Sequence, residues 1–465
     1  MRWFLYLTII FLLAGCSIPE PLLEEIKDEG TLIVITRNSP TTYYEGPQGF
    51  KGFEYELVES FTKELGVEVK YVIPDSFSDI LPMIARGEAH LAAAGLTVTP
   101  KRETMVRFSV PYQQITQQVI YRSGKKRPKK ITDTIGGTLE IVAGSSHEEE
   151  LERLKEKHPE LKWAPQKELE SEELIYLVKE QVIDYTIADS NEAALNLQLY
   201  PELKVAFDLT KPQPLAWAFQ HAEDSSLFDA AKQFLEKQKA DGTLDQLIER
   251  YYGHVKRLGF VDKTTFTRHI AKRLPEYVPL FKKAAEKTGL DWQLLAAIGY
   301  QESHWNPKAV SPTGVRGIMM LTKATAKQLD IEDREDPEQS IMGGARYVRL
   351  VEKKIPKRIQ NPDRLWFALA GYNVGFGHLE DARILAQRDG ADPDKWADVK
   401  QYLPLLSQEK HFKTLKHGYA RGREPVNYVD NIRNYYELLV WHNENQAPKP
   451  EKPKSPLRIT TPAML

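Results

Sequence analysis

"LLAAIGYQESHWNP", residues 294–307, places a single carboxylate, Glu302, at the end of an otherwise apolar stretch. Leu295, Ile298 and Glu302 follow one another at spacings of three and four, which predicts a helix with the glutamate on its core-facing stripe. A carboxylate held there resists ionising. It is either a buried or capping acid satisfied by a nearby arginine or backbone amide, or a general acid whose raised pKa keeps its proton near neutral pH. Immediately upstream, Asp291 is placed to cap this helix and Gly289 to end the preceding one. Downstream, "NPKAVSPTGVRG" at 306–317 is rich in Gly and Pro and reads as a loop lying across the helices, the kind of segment that lines a cleft.

The surrounding pattern from about 268 onward is helical: "FTRHIAKRLPEYVPLFKKAAEKTG", "TKATAKQL", "SIMGGARYVRLVEKK", "DRLWFALAGYN" and "NYVDNIRNYYELLVWH". Upstream, strand-like and helix-like segments alternate instead. "TLIVITR" at 31–37, a helix at 54–65, "VEVKYVI", a helix at 77–86 and "AHLAAAGLTV" predict an α/β sheet with parallel strands. After the basic break "YRSGKKRPKK" at 121–130, "TLEIVAG", "LKWAPQ" and "IDYTIAD" with helices at 147–156 and 171–180 predict a second α/β lobe. "PLAWAF" at 214–219 and the helical run at 224–252 return to the first lobe, so the chain crosses twice and forms a hinge.

At 465 residues two or three domains are expected, and a formal net charge of -2 gives no global reason to expect nucleic-acid binding. "MRWFLYLTIIFLLAGC" has a positive residue, an apolar core from Trp3 to Leu13 and small residues before Cys16, the parts of a secretory signal too short to span a bilayer comfortably. "LAGC" resembles the bacterial lipobox, which implies cleavage before Cys16, lipidation of that residue and, with Ser17 following it, attachment to the outer membrane on its periplasmic face. Cys16 is the only cysteine, so no intramolecular disulfide is available. His304 and His269 lack an HExxH pattern or a Cys/His cluster, so no metal is expected, and no cofactor is implied. The terminal "QAPKPEKPKSPLRITTPAML" is expected to be disordered.

Three quoted blocks resemble the family 3 extracellular solute-binding proteins over about 30–255: "GFEYELVESFTKELG" at 52–66, "FSDILPMIARGEAHLAAAGLTVTPKRETMVRFSVPY" at 77–112 and "ADGTLDQLIERYYG" at 240–253. The resemblance implies that Phe77 packs on a ligand, that Gly95, Thr97 and Arg102 hold an α-carboxylate, that Asp189 takes an α-ammonium and that Ser145 and Ser146 are further contacts. A guanidinium with a hydroxyl and a backbone N–H suits a planar anion. The ligand could be an amino acid, a peptide or a muropeptide fragment. Without a ligand, the same residues read as a surface arginine and ordinary strand-end polar groups.

In the helical half, "ES" at Glu302 and Ser303, "GIMML" at 317–321, "AGYN" at 370–373 and Tyr428 of "EPVNYV" resemble, in order and spacing, the lysozyme-like soluble lytic transglycosylase domain over about 275–442. Met320 stands where many members have Gln. The implied fold class is multidomain: a two-lobed α/β periplasmic-binding-protein fold followed by a mainly α lysozyme-like domain. The expected division is a leader at 1–15, a lipidated linker at 16–29, lobe 1 at about 30–120 and 210–255, lobe 2 at about 125–205, a catalytic domain at 268–445 and a tail at 446–465.

Signal, binding domain and catalytic domain together resemble the membrane-bound lytic murein transglycosylases, whose partner is the glycan strand of peptidoglycan. The implied chemistry uses Glu302 first as acid and then as base, with the substrate's N-acetyl group stabilising C1. Ser303 would orient that group, Asn373 would bond to sugar, and Tyr428 would hydrogen-bond Glu302. Tyr372 is either part of the site or core, Asn373 either a sugar contact or a helix terminus, and Met319 and Met320 are cleft wall rather than chemistry. No acidic residue lies between Glu302 and Asp330, so no neighbouring second carboxylate is supplied, as a hydrolase would use. The competing readings are a lysozyme that hydrolyses the same bond and a solute receptor with a wall-binding module.

Overall fold

The computed structural model describes residues 20–46, 49–255, 260–311 and 314–446. Cys16, the leader and the tail from 447 lie outside the described residues. The chain divides into two compact units, Met1–Asn196 with Glu202–Tyr251, and Leu197–Pro201 with Tyr252–Leu465. Among the described residues no helix is long and apolar enough to cross a membrane.

The first unit contains two five-stranded sheets. One runs in the order Glu68–Val72, Thr31–Ile35, Leu91–Ala92, Ala218–Phe219, Arg107–Phe108. Thr31–Ile35 is parallel to both neighbours, and Ala218–Phe219 runs antiparallel to the strands beside it. The second sheet runs Ala164–Gln166, Leu139–Val142, Tyr185–Asp189, Gln117–Arg122, Leu203–Asp208. Leu32, Val34 and Ile35 are buried in the first lobe, and Val119, Ile141 and Ile187 in the second.

Two expectations change. The sheets are mixed rather than parallel, because Gln117–Arg122 and Leu203–Asp208 each pair antiparallel in the second one. The lobe boundary also moves forward from the basic break at 121–130: Gln117–Arg122 already belongs to the second sheet, and the strand 203–208 escaped notice. A charged run is conspicuous in sequence, but the crossing itself is a short ribbon in which Gln113–Ile115 pairs antiparallel with Gln213–Leu215. Its residues carry no composition signal.

In the second unit the Trp292–Ser303 helix is central. Leu294 through Tyr300 are all buried, so apolar residues cover it on every side, as expected of a helix inside a core. Asp291 caps it, accepting from the backbone N–H of Gln293 and Leu294, and Gly289 ends the preceding helix in the left-handed conformation at φ 69°. The single helical run expected at 266–289 is two helices, Phe260–Lys272 and Leu274–Thr288, with Pro275 in the first turn of the second, where its missing N–H costs nothing. Helices Pro337–Lys354, Asp363–Val374 and Arg423–Gln446 complete the bundle around Phe281, Ile298, Trp305, Met319, Phe367 and Tyr435.

Candidate active site

Glu302 lies in the last turn of its helix, beyond the buried Leu295 and Ile298 of the same stripe, and is itself only partly covered. Burial of the carboxyl group pushes its pKa up to about 7, against the opposing pull of a hydrogen bond from Tyr428. That bond, Tyr428 Oη to Glu302 Oε1, is 2.5 Å long. Tyr428 is buried on the Arg423–Gln446 helix, and its ring stacks at 6.3 Å on that of Tyr372, from the Asp363–Val374 helix. Burial and then the charge of Glu302 drive both phenols well above their usual range. Among the described residues no second carboxylate is close enough to move the titration of Glu302.

The loop expected across the helices is tied down through Ser303. Its hydroxyl donates to the carbonyls of Gly299 (3.1 Å) and Ile318 (2.9 Å) and accepts from the N–H of Asn306 (3.2 Å). Met319 is fully buried, and its carbonyl accepts from Tyr372 Oη at 2.8 Å. Its side chain lies between two glycines: a Cβ on Gly344 would stand 2.5 Å from Met319 Cε, and one on Gly299 3.4 Å from Met319 Sδ. Met320 turns through positive φ (45°) and is half-buried, while Asn373 is exposed beside Tyr372.

The structure therefore gathers Glu302, Ser303, Met319, Tyr372 and Tyr428, with Met320 and Asn373 at their edge. Sequence reasoning missed Tyr347, whose ring packs edge-on against Tyr372 at 5.1 Å. Its signal was the pair Gly343–Gly344 upstream, which lets that helix approach Leu321 and Met319. His269 is engaged in packing, its Nδ1 3.1 Å from Tyr300 Oη. Among the described residues no group of three His, Cys, Asp or Glu could hold a metal ion.

In the first unit, Phe77, Gly95, Thr97, Arg102, Ser145 and Asp189 all line one cleft between the lobes. The cavity left inside it is about 20 Å³, room for about one water molecule. Asp189 ends a strand and Ser145 stands at the N-cap position of the Ser146–Lys155 helix, so the second lobe presents strand and helix ends to the cleft. Arg37 and Glu192 also line it, Glu149 and Glu170 bond to its arginines, and none of the four was anticipated. Glu149 sits in the acidic run "HEEEL", which reads as an ordinary solvated helix start.

Residues 32–254 match the bacterial extracellular solute-binding proteins, family 3, and residues 279–394 the transglycosylase SLT domain. An ancestral arginine-binding protein bound to arginine is similar in structure, with TM-score 0.44 and 26% identity, covering 48% of this chain and 98% of that one. A membrane-bound lytic murein transglycosylase F of Ectopseudomonas mendocina is 48% identical, covering 94% of this chain and 90% of the relative. One from Saccharophagus degradans is 49% identical over 435 residues, 93% of this chain and 87% of the relative. Two matched domains in this order, with identity sustained across both, place the chain in the membrane-bound lytic murein transglycosylase F family, enzymes that cleave peptidoglycan and carry a solute-binding-like domain ahead of the catalytic one.

Proposed function

We propose that Glu302 is the one acid–base group with which this transglycosylase cleaves the MurNAc–GlcNAc bond. The protonated carboxyl donates to the glycosidic oxygen as the C1–O bond breaks, and the N-acetyl carbonyl of the muramic residue stabilises C1. Glu302, now a carboxylate, takes the proton of the C6 hydroxyl as O6 bonds to C1, which leaves a 1,6-anhydro end and consumes no water. The observation that carries this reading is a carboxyl pushed up to about 7 by burial, hydrogen-bonded by Tyr428, with no carboxylate among the described residues moving its titration. A group used in both directions needs a pKa near the working pH. Ser303 Oγ, whose proton goes to backbone carbonyls, retains a lone pair for the N–H of the N-acetyl group. Met320 forms the cleft wall, Met319 is buried behind it rather than lining it as the sequence suggested, and Asn373 bonds to sugar.

Digestion of purified sacculi in ¹⁸O-labelled water, followed by mass spectrometry, tests the reading. Anhydro ends without label are expected, and labelled reducing ends would make the enzyme a muramidase. We further propose that Cys16 is lipidated and holds the enzyme on the periplasmic face of the outer membrane, and that the N-terminal cleft takes a carboxylate-bearing small molecule that alters the cleavage rate. Arg102 and Ser145 support the latter. Arg102 is 1% exposed in the cleft, and the buried Ser145 Oγ has no hydrogen-bond partner among the described residues.

A further inference from the structure

Apart from Ser145, the groups that the solute-binding resemblance gives to a ligand are already engaged by this chain's own side chains. Arg102 donates from Nε to Glu149 Oε1 at 2.8 Å, and Thr99 Oγ1 donates to the other oxygen, Oε2, at 2.7 Å. The Gly95 N–H donates to Glu54 at 2.6 Å. Thr97 Oγ1 accepts from Ser146 at 3.2 Å, and Asp189 lies 3.0 Å from His147 Nε2. Over Phe77, where a ligand's side chain would pack, the guanidinium of Arg37 sits 5.2 Å from the ring centroid. Arg37 is bonded there to Glu192 and, at 3.0 Å, to Glu170.

We propose that this cleft carries its own tethered ligand: Glu149 as the carboxylate on Arg102, and Arg37 as the cation over Phe77, together closing the lobes with no bound molecule. The pairs cross the cleft. Arg37, Phe77, Thr99 and Arg102 come from the first lobe, whereas Glu149, Glu170 and Glu192 come from the second. Ser39 adds a bond to Glu172 at 2.7 Å in the same direction. The lobes approach so closely that a Cβ on Gly144 would lie 2.8 Å from Ser78 Cβ, leaving no room for a side chain. Arg37, Arg102 and Glu192 are all but inaccessible to water, so losing one partner in the closed cleft would strand a buried charge that opening rehydrates.

The consequence for binding is chemical. A tethered carboxylate acts at a high effective concentration, so a free molecule reaches Arg102 only by displacing Glu149, and must itself offer a carboxylate. This deepens the ligand-responsive reading of the cleft given above, but the closed resting state stands without it.

The test uses the full chain with Cys16→Ser, Lys63→Cys and Lys157→Cys, spin-labelled on the Phe53–Leu65 helix of the first lobe and the exposed turn after the Ser146–Lys155 helix of the second, and double electron–electron resonance with no ligand added. One short distance is expected for this protein. Glu149→Ala and the isosteric Glu149→Gln should raise the population at longer distance about fivefold or more, and so should Glu192→Gln. Acetate, the simplest free carboxylate, should return Glu149→Ala to the short distance, while chloride at equal ionic strength should not. A mixture of distances in the parent that the Glu149 variants leave unchanged would overturn the proposal, as would indifference of Glu149→Ala to acetate. Failure of the ligand-responsive reading alone would look different: distances that answer to acetate beside a cleavage rate that does not.

Discussion

Glu302 is held between two influences of opposite sign. Burial drives its pKa up to about 7, and the hydrogen bond from Tyr428 draws it down. Glu302→Gln keeps the shape and removes the transferable proton, so cleavage of sacculi should fall by about 10²–10⁴-fold or more, with an unchanged circular dichroism spectrum. The same substitution should stabilise the protein. A carboxyl whose folded pKa exceeds its usual 4.5 binds its proton more tightly in the native state, so stability declines as pH rises from about 4.5 to about 7. Glutamine abolishes that decline. Thermal melts should therefore coincide at pH 4 and separate at pH 8 in the variant's favour by up to about 3 kcal/mol, several degrees. Tyr428→Phe deletes the bond that favours the ionised form, so the alkaline limb of kcat/KM should move upward by about half to one pH unit. A rate loss with no movement of that limb would mean that Tyr428 acts only through packing.

At the scale of elements, the site is an intersection of helices made close by glycine. Gly299 admits Ile318 and Met319 to the Trp292–Ser303 helix, and Gly344 admits Met319 to the Pro337–Lys354 helix. Met319 then holds Tyr372 through its carbonyl, and Tyr372 backs Tyr428. Gly344→Ala would bring a Cβ within 2.7 Å of Met319 Cβ and Cγ as well as its flexible end, so the helix must shift. Destabilisation of about 1–3 kcal/mol is expected, measured by urea unfolding, with a fall in cleavage rate although the residue is remote from substrate. The loop that carries Met319 depends on Gly317 in the same way: at φ 82° its missing Cβ leaves space for the carbonyl of Arg334, which a side chain would meet at 1.7 Å.

For the whole molecule, the proposed lipidation would put attachment and catalysis in different parts of the chain. Among the described residues no helix is long and apolar enough to cross a membrane, and the anchor proposed above is Cys16. Cys16→Ala should leave cleavage by the purified enzyme unaltered and move the activity from the membrane fraction to the soluble one. Pelleting of the variant with outer membrane after a high-salt wash would point to another attachment. The N-terminal lobes add an element that a nutrient-binding domain does not need, a cleft filled by paired charges of the chain itself.

By itself, the sequence determined what depends on local pattern. The Leu295–Ile298–Glu302 spacing, the Asp291 cap and the Gly289 stop specify a buried helix ending in an acid, because period, capping and positive φ are properties of a few adjacent residues. Motif order placed Phe77, Gly95, Thr97, Arg102, Ser145 and Asp189 around one cleft, and Tyr428 on Glu302, although these positions are far apart in the chain. Only the tertiary structure decided what occupies them. Whether Arg102 waits for a ligand or holds Glu149, and whether Gln117–Arg122 ends one lobe or begins the next, turns on partners 47 residues away and on strands that pair across the sheet. Such pairings arise from packing between elements that no local period encodes, so an acidic run that reads as a solvated helix start supplies the counter-charge of a buried arginine.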